Sequence, residues 1–209
     1  MNLFLKMGLV NCLHCGSFGI GDSLLCCHCE TKLFEVSFHR HFFSAEVRRV
    51  TCMALFHWQR DRNRILNRLS LALKGGRQAE AWNYYAEKYV SEWTGREVLK
   101  SPAVLGPCPS RDGKEDHASL FAGALSRQTG IPILPLLKRT TVKEQKHLGR
   151  DERYRCIENR FELVARKDEK FSQVYFVDDI VTSGATVAAA YYHLKNIGHV
   201  KGISLIIRE

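Results

Sequence analysis

The chain has 209 residues, 45% hydrophobic and 25% charged, enough for one α/β domain with a small appendage; two full-sized domains and large-scale disorder are excluded. Lys and Arg outnumber Asp and Glu by 31 to 22, and the surplus of +9 suits anionic partners such as phosphates or nucleic acid, though it also serves solubility alone. No apolar run approaches the ~20 residues that cross a bilayer, so membrane insertion is not expected.

The opening "MNLFLKMGLV" has a short apolar part broken by Lys6 and leads into a cysteine pair rather than a small-residue cleavage site, which reads as cytoplasmic. Five of the eight cysteines lie between positions 12 and 29, while Cys52, Cys108 and Cys156 are scattered. That distribution fits a reducing compartment and one metal site better than a disulfide framework. Cys12-x2-Cys15 and Cys26-x2-Cys29, ten residues apart, supply four thiolates that can surround a tetrahedral zinc ion. Four protein ligands leave no open position, so the zinc is expected to be structural. Cys27 is left over, and His14 and His28 are weaker substitutes. Residues 1–35 are therefore expected to form a zinc knuckle, and 36–209 the main domain.

From Thr51 to Val90 the pattern reads as helical. Ile65, Leu66, Leu69 and Leu73 recur at three and four spacing, and "QAEAWNYYAEKYVSEW" gives a second amphipathic face before Gly95. "AVLGPCPS" predicts a strand running into a turn, "DHASLFAGALSRQTG" a helix closed by Gly130, and "IPILPLL" a short strand. "KRTTVKEQKHLGRDERYR" is the most charged stretch and predicts a solvated loop or exposed helix. The strand "QVYFVDD", turn "IVTSGAT", helix "VAAAYYHLKNIG" and strand "VKGISLIIRE" make a βαβ unit, so the sheet is at least partly parallel.

In a parallel sheet, ligands bind beyond the carboxyl ends of the strands, where Asp178 and Asp179 fall. The loop after them opens a helix near Thr186, whose first backbone N–H groups carry partial positive charge, while Thr182, Ser183 and Thr186 add hydroxyls and Gly184 permits close approach. A phosphate flanked by vicinal hydroxyls suits such a site. Helix capping is the plainer explanation of the same residues. A nucleotide-hydrolase acid strand also ends this way, but the chain has no G-x-x-x-x-G-K-[ST] loop.

"VYFVDDIVTSGAT" resembles the phosphoribosyl pyrophosphate (PRPP) motif of type I phosphoribosyltransferases. With the cysteine knuckle ahead of it, the chain resembles the ComF family, the competence-associated group that includes GntX-like proteins. "LALKGG" is similar to that family's Leu-Lys-x-Gly segment, with Lys74 in the lysine position, and "GPCPSRDGKEDHA" occupies the place of its Pro-Val-Pro loop. Arg139, Gln145, Arg153 and Phe161 follow its Arg, Gln, Arg, Phe pattern. The chain departs from the family at "GKEDHA" and at Cys156.

The resemblance implies a type I phosphoribosyltransferase fold with a mainly parallel sheet. It also implies that Asp178 and Asp179 bind the ribose hydroxyls of PRPP and that Thr182, Ser183, Gly184, Ala185 and Thr186 hold its 5-phosphate. Mg²⁺ would bridge pyrophosphate and ribose oxygens. Ser110 and Arg111 are further PRPP-binding candidates. Lys138, Arg139, Lys143, Arg150 and Arg153 are lid candidates for stabilising the departing pyrophosphate. No residue stands out as a general base.

The function expected from this resemblance is a ComF-like role in DNA uptake, with phosphoribosyltransferase activity toward an unidentified acceptor. A PRPP sensor without turnover is the alternative. Single-stranded DNA and other DNA-uptake proteins are the expected macromolecular partners. Trp58 with Arg60, Arg62 and Arg64 could offer a stacking and phosphate-binding surface, although aromatic residues are usually core.

Overall fold

The computed structural model describes residues 11–37, 43–47, 49–58, 64–74, 79–94, 102–110, 116–140, 160–164 and 168–208. After the cysteine turns come helix α1 (Cys27–Ser37), strands β1 (Phe43–Val47) and β2 (Val50–Trp58), and helices α2 (Arg64–Lys74) and α3 (Ala79–Thr94). Strand β3 (Ala103–Pro107), helix α4 (His117–Thr129) and the short strands β4 (Leu137–Arg139) and β5 (Phe161–Leu163) follow. The chain closes with β6 (Gln173–Val181), α5 (Ala185–Leu194) and β7 (His199–Arg208).

Five strands form one sheet in the order β1-β2-β7-β6-β3. The pairs β2–β7, β7–β6 and β6–β3 are parallel, and only β1 runs antiparallel, against β2. The fold is therefore α/β with a mainly parallel sheet. A separate two-stranded ribbon pairs β4 with β5.

The two faces of the sheet are packed differently. On one face α2, α3 and α4 bring Leu66, Leu69, Trp82, Tyr85, Tyr89, Trp93 and Phe121 against Met53, Leu55, Tyr175 and Val177. Edge-to-face contacts knit this aromatic core, Trp93 against Tyr175 at 5.0 Å and Tyr89 against Phe121 at 5.7 Å. Cys12, Leu24, Leu25, Cys26, Cys29 and Leu33 belong to the same core, so the cysteine turns pack directly on the main body. On the other face α5 contributes Val187, Ala189, Ala190 and Leu194 against Cys52, Ala54, Val174 and Phe176. Small side chains there let α5 lie close to the sheet.

One sequence expectation is overturned. Thr51–Trp58 is all of strand β2 but its first residue, rather than the start of a helical region. Its residues bury both faces, with Cys52 and Ala54 in one core and Met53 and Leu55 in the other. A strand buried on both sides shows a continuous apolar run whose period cannot be told from a buried helix. The "IPILPLL" run makes only a single bridge, Ile133 to Leu105, before β4 begins at Leu137. Pro132 and Pro135 have no N–H to give a ladder. Of the charged stretch expected to be a loop or exposed helix, Lys138 and Arg139 belong to strand β4, while 141–155 lie outside the described residues. Strand β6 runs past the expected turn at Ile180 to end at Val181. Among the expected helices, α2 buries Ile65, Leu66, Leu69 and Leu73. Helix α4 starts on an Asp116 cap that accepts from Ser119 N and ends on Gly130 at φ 73°.

Candidate functional sites

At the knuckle the two cysteine pairs meet. The Sγ atoms of Cys12, Cys15, Cys26 and Cys29 all lie within 4.8 Å of one another, and Cys15 and Cys26 are 3.6 Å apart. Tetrahedral zinc with Zn–S near 2.3 Å needs sulfur separations of about 3.8 Å, so these residues fit a metal such as zinc. The geometry is made locally. Cys12 N donates to Ser17 O and Gly16 N to Cys12 O, closing the first turn with Gly16 at φ 76°. Leu13 N reaches Leu24 O and ties it to the second pair, which enters α1 where Glu30 N donates to Cys26 O. Cys12, Cys26 and Cys29 are buried and Cys15 is exposed. The Ser17 hydroxyl and backbone push the Cys15 thiol down to about 6, favouring the thiolate that metal binding needs. Burial and the neighbouring thiols push Cys29 up. Cys27, His14 and His28 stand outside the cluster.

The second site lies at the carboxyl end of β6. Successive residues of a strand face opposite ways. Asp179 Oδ2 lies 3.4 Å from Lys74 Nζ at the end of α2, and Asp178 Oδ1 accepts from Asp179 N at 3.0 Å. Burial, then the adjacent Asp179 charge, then Asp116 hold the Asp178 carboxyl well above the usual carboxylate range. Beyond Val181 the chain turns through the exposed Thr182 and Ser183 and buried Gly184, at φ 69°, into α5. No side chain caps that helix start, so its first amides face the loop. Ala185 and Thr186, half-buried, form its first turn. The acids, the hydroxyls and the helix end expected from the sequence thus come together at one strand end.

The end of β3 forms the adjoining wall. Cys108 N donates to Val177 O at 2.8 Å, fastening the Pro-Cys-Pro loop to β6, with Ser110 half-buried beyond it. Burial and the Asp178 charge push the Cys108 thiol far up, so it stays neutral. Arg139 is committed to this loop. Its Nε donates to Pro109 O at 2.6 Å, and its guanidinium lies 5.5 Å from the Phe161 ring centroid. Lys138 pairs with Glu162 across the β4–β5 ribbon at 3.0 Å, both well exposed. Arg111, Lys143, Gln145, Arg150, Arg153 and Cys156 lie outside the described residues, as do Arg60 and Arg62. Trp58 packs partly against the core, with the Arg208 guanidinium 4.6 Å from its ring centroid.

Sequence reasoning placed Lys74 only by resemblance and gave no role to Asp116 within the departing "GKEDHA" segment. Asp116 caps α4 and adds negative charge near Asp178. An acid just before an apolar-periodic run is a signal for the cap, but not for its closeness to β6.

These features define an α/β protein with a mainly parallel sheet, an acid pair at a strand end beside a hydroxyl loop, and a close four-cysteine cluster. No protein-family model and no curated protein matches the chain. Solved structures similar to it include three adenine phosphoribosyltransferases. The enzyme from Saccharomyces cerevisiae, complexed with D-2,5-dideoxy-2,5-imino-altritol 1,6-bisphosphate and adenine, is 18% identical over 63% of this chain and 69% of its own, with a TM-score of 0.39. That from Leishmania tarentolae is 15% identical over 61% and 71%, TM-score 0.39. That from Thermoanaerobacter pseudethanolicus is 16% identical over 84% and 99%, TM-score 0.41. No described helix is long and apolar enough to cross a membrane.

Proposed function

We propose that the chain is a ComF-like protein of the type I phosphoribosyltransferase fold that binds PRPP with Mg²⁺ at the carboxyl end of β6 and transfers phosphoribose. The observation that carries this reading is the adjacency of Asp178 and Asp179 to a loop whose left-handed Gly184 leads into an uncapped helix start. Phosphate fits the amides of Gly184 to Thr186 and the hydroxyls of Thr182, Ser183 and Thr186. Asp178 and Asp179 would accept from ribose hydroxyls and are the residues that would hold a divalent cation near the ligand.

Mg²⁺ would screen the pyrophosphate charge as the anomeric bond breaks. The chain's own part is to hold the sugar by its acids, fix the phosphate at the helix start, and place the Lys74 ammonium beside a site otherwise rich in carboxylate. In this reading Ser110 belongs to the adjoining wall, Arg111 is a further PRPP-binding candidate, and Lys138, Arg139, Lys143, Arg150 and Arg153 are the candidates for stabilising the departing pyrophosphate.

The family resemblance extends the proposal to DNA uptake in the cytoplasm, with single-stranded DNA held by cationic side chains. A PRPP sensor without turnover is the second reading, and the commitment of Arg139 to Pro109 O favours it, because that guanidinium is already engaged. Calorimetry with PRPP, with and without Mg²⁺, tests binding. Pyrophosphate release with a panel of nucleobase acceptors separates transferase from sensor, and binding of an oligonucleotide that weakens steeply with salt tests the DNA role. Absence of PRPP binding in the presence of Mg²⁺ overturns the reading.

A further inference from the structure

The knuckle and the strand-end site are joined by one helix. At its middle, α2 sends the Arg68 guanidinium to two consecutive carbonyls of the first cysteine turn, Leu13 O at 3.1 Å and His14 O at 2.9 Å. At its last residue, α2 places Lys74 Nζ 3.4 Å from Asp179 Oδ2. Arg68 and Lys74 are six residues apart, about 9 Å along a helix axis, so a shift of one end is transmitted to the other without a hinge between them. The buried face of α2, Ile65, Leu66, Leu69 and Leu73, shares its core with Cys12, Cys26 and Cys29. A second tie holds the same turns to α3, where Tyr85 Oη donates to Ser23 O at 2.8 Å.

Lys74 matters because of what surrounds it. Among the described residues the strand end carries Asp178 and Asp179 with Asp116 nearby, a concentration of carboxylate that opposes a polyanionic ligand. Arg139, the other described cation at this end, gives its Nε to Pro109 O. Lys74 has three N–H donors, pairs with Asp179, and leaves 46% of its side chain exposed. An exposed pair of this kind adds little stability; its value is the position of the charge.

We infer that the four-cysteine turn is the brace that sets α2, and through it the Lys74 ammonium, at Asp179, so that the state of the knuckle controls anion affinity at the strand end. Arg68 is the positioning residue and Lys74 the group that acts. The inference rests on the PRPP reading for its ligand but not for the brace itself.

The test uses the metal-loaded protein and calorimetric titration with PRPP and Mg²⁺. Arg68→Ala retains one metal per chain, because all four cysteines remain, and weakens PRPP about fivefold, the equilibrium scale of an exposed ion pair. Lys74→Ala weakens it by at least as much, Lys74→Arg restores it, and Arg68→Ala adds nothing further in the Lys74→Ala background. Chelation of the metal speeds amide exchange along α2 through Lys74. An Arg68→Ala protein with unchanged affinity, an equal loss in both backgrounds, or α2 exchange indifferent to chelation overturns the brace. If the wild-type protein binds no PRPP, the functional reading fails by itself, and the exchange response of α2 alone decides the brace.

Discussion

In the four-cysteine turn the ligand atoms already converge within 4.8 Å, whereas the two acids at the end of β6 differ in setting, Asp179 beside Lys74 and Asp178 in surroundings that disfavour its charge. Both sites are short stretches of sequence, yet only the first is closed by its own local hydrogen bonds. The second is assembled from β3, β6, α2 and α5. A self-closed site asks for one ion of defined geometry; an assembled site with an uncapped helix start and neighbouring carboxylates asks for a ligand bearing both anionic and hydroxyl groups. The knuckle is thus expected to contribute to stability, and the strand end to draw on it.

The largest effect should come at the knuckle. Structural zinc in small cysteine sites is worth about 10–16 kcal/mol of apparent binding energy, so chelation should lower the melting temperature by more than about 10 °C, read by calorimetry beside a metal analysis giving one ion per chain. An unchanged melting temperature after complete metal removal would break the comparison on its stable side.

At the strand end, Asp178→Asn with Asp179→Asn should abolish PRPP binding, a loss of at least about a hundredfold if two charged hydrogen-bond acceptors are removed. Asp178→Asn alone should do the opposite to stability. A carboxyl raised above its unfolded value favours the folded state fully below the unfolded pKa, and that contribution fades as pH rises through the folded pKa. The ligand-free variant should therefore melt a few degrees above wild type at pH 8, with the gap closing toward pH 4. No gap at either pH would show that Asp178 is not strained by its setting.

A smaller effect probes the sheet that carries both. A Cβ on Gly202 of β7 would sit 2.5 Å from Cys52 Sγ on β2. Gly202→Ala should cost about 1–3 kcal/mol in urea denaturation and recover much of it with Cys52→Ala. Smallest, Tyr85→Phe, which removes the 2.8 Å bond to Ser23 O, should cost about 1 kcal/mol. If it also slows metal loss rather than speeding it, the tie between α3 and the knuckle is misread.

By itself the sequence determined the features whose chemistry is local. The x2 spacing brings each cysteine pair together, the apolar run into Asp178 and Asp179 marks the carboxyl-terminal part of a strand, and Gly130 and Gly184 mark left-handed positions at helix ends. Only the tertiary structure decided the rest. It made Thr51–Trp58 a strand, because β7 and β1 flank it and both its faces are covered, which erases the period that distinguishes strand from helix. It brought Lys74 to Asp179 through the packing of α2 on the sheet and the cysteine turn. It also brought Asp116 close enough to Asp178 for their charges to be felt, a relation that no local spacing encodes, since each residue follows the rule of its own element and only the packing of α4 on the sheet relates them.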